Sequence, residues 1–594
     1  MRRAAALVFI LLTSYTLGQA QSTNASLAGR ITDPANALIV DAKVAAINTA
    51  TNIRYEDLTN DSGEYHLTNL PPASYRLEIE KSEFKKLVKP GVVLHVQDAL
   101  RIDLQLTLGD VSETVTVESG APLVNTESAT VSTVINQTFV ENIPLNGRSF
   151  QTLINLTPGV VVTPSTFNDQ GQFSVNGQRA DANYFTVDGV SANFGVTGFI
   201  AMMQSASGAL PALSASGGTN SLVSVDAMQE FRLQTSSFAP EFGRTPGGQI
   251  SIATRSGTNA FHGTLFEYFR NDVLDAKDWF VNFNGLAKPA ERLNDFGGVI
   301  GGPFVRDETF FFFSYEGQRL RQPSSIQTVV PSNQARQQAP ATMRPYLNAF
   351  PVANGPALAA GVAQFNASFS NPSSLDAYSI RLDHSFGSGF GLFARYNYSP
   401  STLDQRGPFF TSGRVLSTTN SLSSSVHTGT AGLTHLFSPE ISNEVRVNYS
   451  NHRLGIDFVM DDFGGATPLS DSFLFPSGIT SDNGTFLFII LGTGQYVHGK
   501  QGTTEQRQIN LIDNISITKG SHQLKFGVDY RWLAPFSSPA AYHQFAAFSG
   551  VTTSPGGALS GTALLAQSSS FQTNSLLSQN FSLFGQDTWK ITLD

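Results

Sequence analysis

Gln523–Trp532 reads QLKFGVDYRW, in which Leu524, Phe526, Val528, Tyr530 and Trp532 share one parity and Gln523, Lys525, Gly527, Asp529 and Arg531 the other. Successive side chains of an extended strand point to opposite faces, so this stretch has one apolar face and one polar face. The rhythm recurs upstream. Tyr378, Ile380 and Leu382 oppose Ser379, Arg381 and Asp383; Phe390, Leu392, Ala394, Tyr396 and Tyr398 oppose Gly391, Arg395 and Asn397; Ile441, Val445, Val447 and Tyr449 oppose Ser442, Glu444, Arg446 and Asn448. One such segment would also suit a water-soluble sandwich. Number and length decide otherwise, because roughly ten segments after Phe261 approach the about ten residues with which a tilted strand crosses a bilayer. Tyr and Trp often sit near their ends, where an interfacial belt would lie. Residues 258–594 are therefore expected to form a transmembrane antiparallel β-barrel, and Gln322–Leu375 and Asp461–Gln501 its extracellular loops.

The composition agrees with this reading. Among 594 residues, 14% are charged and 41% hydrophobic, with 45 Phe and 52 Gly, a balance that favours twisted sheet and turns over long amphipathic helices. A formal net charge of -9 and the lack of clustered Lys and Arg, which phosphate binding needs, argue against a nucleic-acid partner. The absence of cysteine removes disulfides, thiolate metal sites and cysteine nucleophiles. Arg2 and Arg3, the apolar run Ala4–Leu12 and Gly18-Gln19-Ala20 read as a secretory signal over 1–20, with Gln21 beginning the mature chain. Later apolar runs such as Phe486–Leu491 are too short for a spanning helix, so an integral protein would have to be a barrel.

Two further regimes precede the barrel. In 22–108, short alternating segments (LAGRITD, AKVAAINTAT, YEDLTNDSGEYHLTNLPPASYRLEIEK and RIDLQLTL) are broken at Asp61-Ser62-Gly63 and Pro71-Pro72, as in a small β-sandwich. Tyr65, Leu67, Tyr75, Leu77 and Ile79 alternate as core residues. GRITD followed by NDSGEYHLTNLPPASYRLEI resembles the carboxypeptidase regulatory-like domain, which implies a prealbumin-like, carbohydrate-binding-like sandwich and no proteolysis. The sequence departs from that pattern at Ala73, where the family usually has Gly, and at Pro34-Ala35-Asn36-Ala37, which replaces a Gly-bearing turn.

The segment 109–120 links this sandwich to a Gly- and Ser-rich region, 121–257. Within the linker, Glu113-Thr114-Val115-Thr116-Val117 resembles the TonB box; it also reads as a plain linker or as the last sandwich strand. A box of this kind must be an accessible, unpaired, β-prone segment, because the partner adds a strand to it. PLNGRSFQTLINLTPGV, FSVNGQRADANYFTVDGV and SSFAPEFGRTPGGQISIATRSGTNAFHGTLFEYFRND then follow in the order of the plug and first barrel strand of Oar-like TonB-dependent receptors, which the chain resembles over nearly its whole length. Asp188-Gly189 and Gly247-Gly248 suit tight turns in a compact plug, and Asn176-Gly177 a hairpin. The expected fold is thus mainly β: a sandwich, a plug, and part of a barrel.

Closure makes the barrel a partial one. An open sheet edge in lipid leaves backbone N–H and C=O groups unpaired, and about ten strands cannot surround such a plug, for which receptors of this kind use about twenty-two. The chain is therefore expected to be a fragment. Catalytic and cofactor chemistry is not expected. GQYVHGK, Gly494–Lys500, mimics a phosphate-binding loop but continues with Gln501 in place of Ser or Thr, and HExxH and GxSxG motifs are missing. His427 and His435 share a strand face but lie too far apart for one metal, and read as girdle or loop residues. The resemblance implies an outer-membrane location, contact with outer-membrane lipid, and import of an extracellular substrate (carbohydrate, iron chelate or peptide) driven by a TonB-type energy-transducing protein. The alternative is an adhesin or glycan-binding surface protein, anchored by its barrel.

Overall fold

The computed structural model describes residues 23–117, 128, 130–143, 150–162, 173–196, 207–358, 361–387, 389–407, 413–438 and 440–589. The expected export signal, and the PLNGR part of the plug signature, lie outside these residues. The first unit is a sandwich. One sheet holds strands β1 (Ala25–Thr32), β4 (Glu64–Leu70), β7 (Ala99–Arg101) and β8 (Leu104–Gln105); the other runs β3 (Arg54–Leu58), β2 (Lys43–Asn48), β5 (Ala73–Glu80), β6 (Lys86–Leu94), β9 (Thr114–Thr116). Tyr65, Leu67, Tyr75, Leu77 and Ile79 fill the space between them, as their alternation predicts.

The second unit is a five-stranded sheet in the order β10 (Val131–Asn136), β15 (Met228–Ser236), β16 (Gln249–Thr254), β13 (Tyr184–Val187), β14 (Val190–Ser191), with a separate pair, β11 (Val160–Val162) and β12 (Phe173–Val175). Phe150, Leu153, Phe173, Phe185, Phe231, Leu233, Ile250 and Ile252 form its core. The glycine expectations resolve unevenly here. Asp188-Gly189, at φ 50° and 79°, is the two-residue hairpin joining β13 to β14. Asn176-Gly177 is a turn but not a hairpin, because the chain leaves β12 into a helical turn at Ala180–Ala182 while β12 pairs back to β11. Gly247-Gly248 makes no turn of positive φ; a Cβ on Gly247 would come within 2.4 Å of the Ala182 carbonyl, so close approach is what requires glycine there.

The third unit is a large, almost wholly antiparallel sheet. Its wall runs β17 (His262–Asn271), β18 (Arg292–Val305), β19 (Thr309–Pro331), β20 (Val362–Ser385), β21 (Phe390–Arg406), β22 (Thr418–Ser438), β23 (Ile441–Met460), β25 (Gly494–Lys519), β26 (His522–Pro539) and β30 (Ser578–Trp589). Connections alternate in length: 306–308, 386–389, 439–440 and 520–521 at one end, and long segments such as 272–291, 332–361 and 461–483 at the other. Among the described residues β17 and β30 do not pair with each other, so the wall is an open arc.

Outward residues follow the predicted parity, with Tyr378, Ile380 and Leu382 exposed and Ser379 buried. Aromatic rings bracket this face in two rows. Tyr315, Tyr378, Tyr398 and His427 stack across four neighbouring strands at 4.9, 6.3 and 4.4 Å between ring centres. Nearer the short turns lie Phe386, Phe390, His435 and Phe437, at 4.9, 5.3 and 4.2 Å. From Tyr378 to Phe386 a strand runs roughly 26 Å, or about 20 Å along the membrane normal once tilted, close to the apolar band of an outer-membrane wall.

The strands are longer than expected. β19 and β20 continue beyond the upper aromatic row, so the interval Gln322–Leu375 is part strand, and only 332–361 is a connection. Asp461–Gln501 likewise contains β24 (Gly484–Ile490) and the start of β25. β24 pairs parallel with β27 (Tyr542–Phe548), which pairs with β28 (Leu565–Ser570). Phe350, Phe486, Phe488, Tyr496 and Phe548 bury one another in a core of this upper part, with Tyr346 packed against them. The phosphate-loop mimic Gly494–Lys500 is accordingly β-strand rather than polar loop. Above the membrane, backbone pairing remains the cheapest way to satisfy polar groups, so the ladders run on. Leu382→Arg, which puts a charge between the two rows, is expected to destabilise the folded barrel by about 2–4 kcal/mol in urea titrations from lipid vesicles, while Leu382→Phe leaves the midpoint nearly unchanged.

Candidate partner-binding strand and plug interface

The inner face of the wall is polar because it meets the plug. Arg395 donates to the Leu222 carbonyl (2.7 Å) and Asn397 to that of Ser221 (2.9 Å). Asn510 accepts from the Ser191 amide (2.9 Å), and Gln508 donates to the Ser191 carbonyl (2.7 Å). Arg381 pairs with Asp188 at 3.2 Å, Asp529 with Arg244 at 2.8 Å, and Lys525 with Glu241 at 2.5 Å. The wall thus supplies partners for plug backbone, in loops and on the outer edge of β14, that has none within the plug's own small sheet.

The sandwich sits at the short-turn end of the wall. Asn52 donates to Asp307 (3.0 Å) in the 306–308 turn, Asn24 to Glu444 (3.0 Å), and Thr68 shares a hydrogen bond with Ser442 (3.0 Å). Its last strand carries the candidate partner-binding segment. Asp110 opens a turn in which its carboxylate accepts from the Ser112 amide (2.9 Å), which holds that exposed carboxyl below its ordinary range. The chain then lies parallel to β6, with Thr114 opposite Lys86, Val115 opposite Leu87 and Thr116 opposite Val88. The Lys86 amide donates to Glu113 and the Val117 amide to Val88, so β6 binds the odd-numbered positions. By strand alternation the N–H and C=O of Thr114 and Thr116 point away, along an edge that no described strand covers.

All five predicted residues therefore lie together, but not as an unpaired segment. Glu113 makes an exposed ion pair with Lys85 (2.5 Å), worth little in water, and Val117 turns into the sandwich core. One edge of the strand is occupied and the other is open. Of the readings the sequence leaves open, the last sandwich strand describes its pairing, and Val117 packs against the sandwich core.

A second contact went unnoticed in the sequence. Between β6 and β7 the turn His95–Asp98, with Gln97 at φ 60°, lies on plug strands β15 and β16. His95 Nδ1 meets Glu230 at 2.7 Å, and the Val96 amide donates to the same carboxylate. Arg232 pairs with Asp98, both of them buried, and also donates to Ser132 on β10 (3.0 Å). Gln234 donates to Gln97 (2.8 Å), and Gln97 to Ser251 (3.0 Å). The signal was present in β15: Phe231 and Leu233 are core, yet Glu230, Arg232 and Gln234 form an equally buried polar face, which demands a polar partner. A polar cavity of about 570 Å³ adjoins this contact, bounded by Gln97, Asp98, Arg232, Glu241 and Lys525.

His427 and His435 both project outward from β22 into the aromatic rows, and among the described residues no group of three or more His, Asp or Glu is placed to hold a metal ion.

These features define a plug and part of the wall of an outer-membrane β-barrel. Residues 253–593 match the outer membrane beta barrel domain family, more than half of the sequence, and the chain belongs to that family. Residues 26–107 match the carboxypeptidase regulatory-like domain. Among characterised proteins, the chain is 28% identical over 291 residues to the TonB-dependent transporter Oar of Myxococcus xanthus, a match covering 46% of this chain and 25% of that protein. Among solved structures, the outer membrane transporter YddB of Escherichia coli shares the fold at a TM-score of 0.50 and 13% identity, over 78% of this chain and 54% of that one. The chain thus corresponds to about half the length of YddB and to a quarter of Oar.

The Glu230 carboxylate beside His95 holds its imidazole above the ordinary range, against the opposing effect of burial. A raised folded pKa means that this contact contributes fully below the unfolded value of about 6.5 and is lost as pH rises through the folded value. Amide exchange across 95–98 and β15, corrected for intrinsic rate, is expected to accelerate as pH is raised through that window. Equal protection on both sides of it would show that the His95 charge does not hold the contact.

Proposed function

We propose that this protein is a TonB-dependent receptor that moves a substrate across the outer membrane, with a TonB-type protein adding a strand to the free edge of Glu113–Val117. The carrying observation is the position of β9: an edge strand with one open side, on a sandwich at the short-turn end, followed in the chain by the plug's edge strand β10. Short turns in outer-membrane barrels face the periplasm, which puts this edge where an inner-membrane partner reaches it. Strand addition would give affinity through backbone hydrogen bonds at Thr114 and Thr116 and leave the bonds to β6 in place. Kinship with the Oar transporter supports the same reading. We further propose the division inferred from the sequence, sandwich to about residue 108, connecting segment to 120, plug to 257, then wall, with β9 of the connecting segment added to the edge of the sandwich sheet. The substrate class stays as broad as the resemblance implies.

The rival reading, an adhesin whose sandwich meets the surroundings of the cell, would place that domain at the long-loop end. Its contacts with Asp307, Ser442 and Glu444 favour transport instead.

Thr116→Pro removes one outward-pointing amide donor without touching the β6 bonds. Energised uptake is expected to fall severely, with barrel assembly and sandwich folding unchanged; deletion of Glu113–Val117 is expected to abolish uptake. Uptake that continues unaltered in both variants would remove this strand from the mechanism.

A further inference from the structure

Besides its candidate box, the sandwich holds the plug. We infer that the turn His95–Asp98 is a latch, keeping plug strand β15, and through Arg232 the edge strand β10, in register until the sandwich is drawn away. Its biological role rests on the transport reading above; its physical test does not.

Three observations carry the inference. First, the match is residue by residue: Glu230 takes His95 and the Val96 amide, Arg232 takes Asp98, and Gln234 takes Gln97. Apolar surfaces can slide while staying in contact, but hydrogen bonds and desolvated ion pairs fail over a displacement of about 1 Å, so a contact built from them holds firmly and releases abruptly. Second, Arg232 is two-sided. It binds Asp98 of the sandwich and Ser132 of β10, so losing Asp98 leaves a buried guanidinium uncompensated at the seam between β10 and β15. Third, the turn lies on the line along which a pull would travel. β6 holds β9 at Lys86–Val88 and at its other end runs directly into His95. Tension applied at the open edge of β9 therefore reaches the turn through one continuous strand.

The turn is also braced from within the sandwich: the His95 amide donates to Asp98 (2.9 Å), the Asp98 amide to the His95 carbonyl (3.1 Å), and the Ser26 amide of β1 to the Asp98 carbonyl (2.8 Å). When the turn is withdrawn, the cavity of about 570 Å³ beside it is joined to the space the turn vacates, and Arg232, which also binds Ser132 of β10, loses the carboxylate that fixes it at the β10–β15 seam. The plug is thereby loosened from its periplasmic side, at the strand next in sequence to the one being pulled.

The test uses the full chain in outer-membrane vesicles from cells lacking the TonB-type partner. Asp98→Asn removes the sandwich side of the buried pair, and Arg232→Gln removes the plug side, so the two do not share a folding defect of the turn. Both are expected to speed amide exchange in β10 and β15 by about tenfold or more, the factor that roughly 1.4 kcal/mol represents. Lys43→Gln, which breaks an exposed ion pair with Glu56 elsewhere on the sandwich, is expected to leave that exchange unchanged. Exchange in β10 and β15 that stays at the parental rate in both variants, or acceleration confined to the sandwich turn, would overturn the latch. Failure of the transport reading would appear separately, as energised uptake indifferent to Thr116→Pro.

Discussion

Buried polar side chains on the inner face of the wall, paired with plug backbone, are the constraint on which the other features depend. A barrel wall in lipid must present apolar residues outward, and strand periodicity then obliges every second residue to face inward. In this protein those inward residues are Arg381, Arg395, Asn397, Gln508, Asn510 and their neighbours, and they find partners on the plug. A hydrogen bond to a charged group contributes about 1.5–3 kcal/mol, and stranding such a group costs at least as much. Plug and wall therefore stabilise each other, and neither surface would be satisfied without the other.

The same logic extends to the short-turn end. The polar face of β15 would be a liability in a free-standing plug, since Glu230, Arg232 and Gln234 are as buried as the core residues between them. The sandwich turn supplies a partner for each. Hydrophobic packing holds each unit together internally and carries the plug core onto Val299, Phe312 and Val426 of the wall, while ion pairs and hydrogen bonds join the sandwich to the plug. Polar joints suit the separation proposed above, because water can replace the lost partners once such a joint opens.

Much of the wall was legible in the sequence because its signal is local. Tyr378, Ile380 and Leu382 point outward and Ser379 inward for no reason beyond the pleat, and the rows containing His427 and His435 follow from the same parity. The sandwich core was legible for the same reason. The candidate strand was legible as a β-prone segment, with a last sandwich strand among its readings, but its pairing with β6 depends on residues far enough away in sequence that no pattern within the segment reports it. The hairpin expected at Asn176-Gly177 failed because a turn fixes only local direction, and the neighbouring strands chose other partners.

Sequence alone therefore determined the repeating face pattern, the mainly β class and the order of the three units, since each follows from side chains a few residues apart. Tertiary structure decided which buried polar groups meet: Arg395 with Leu222, Asp529 with Arg244, Arg232 with both Asp98 and Ser132. Those choices depend on the register between strands distant in the chain, and register is set by how whole sheets pack together. Nothing in the spacing of one segment carries that information.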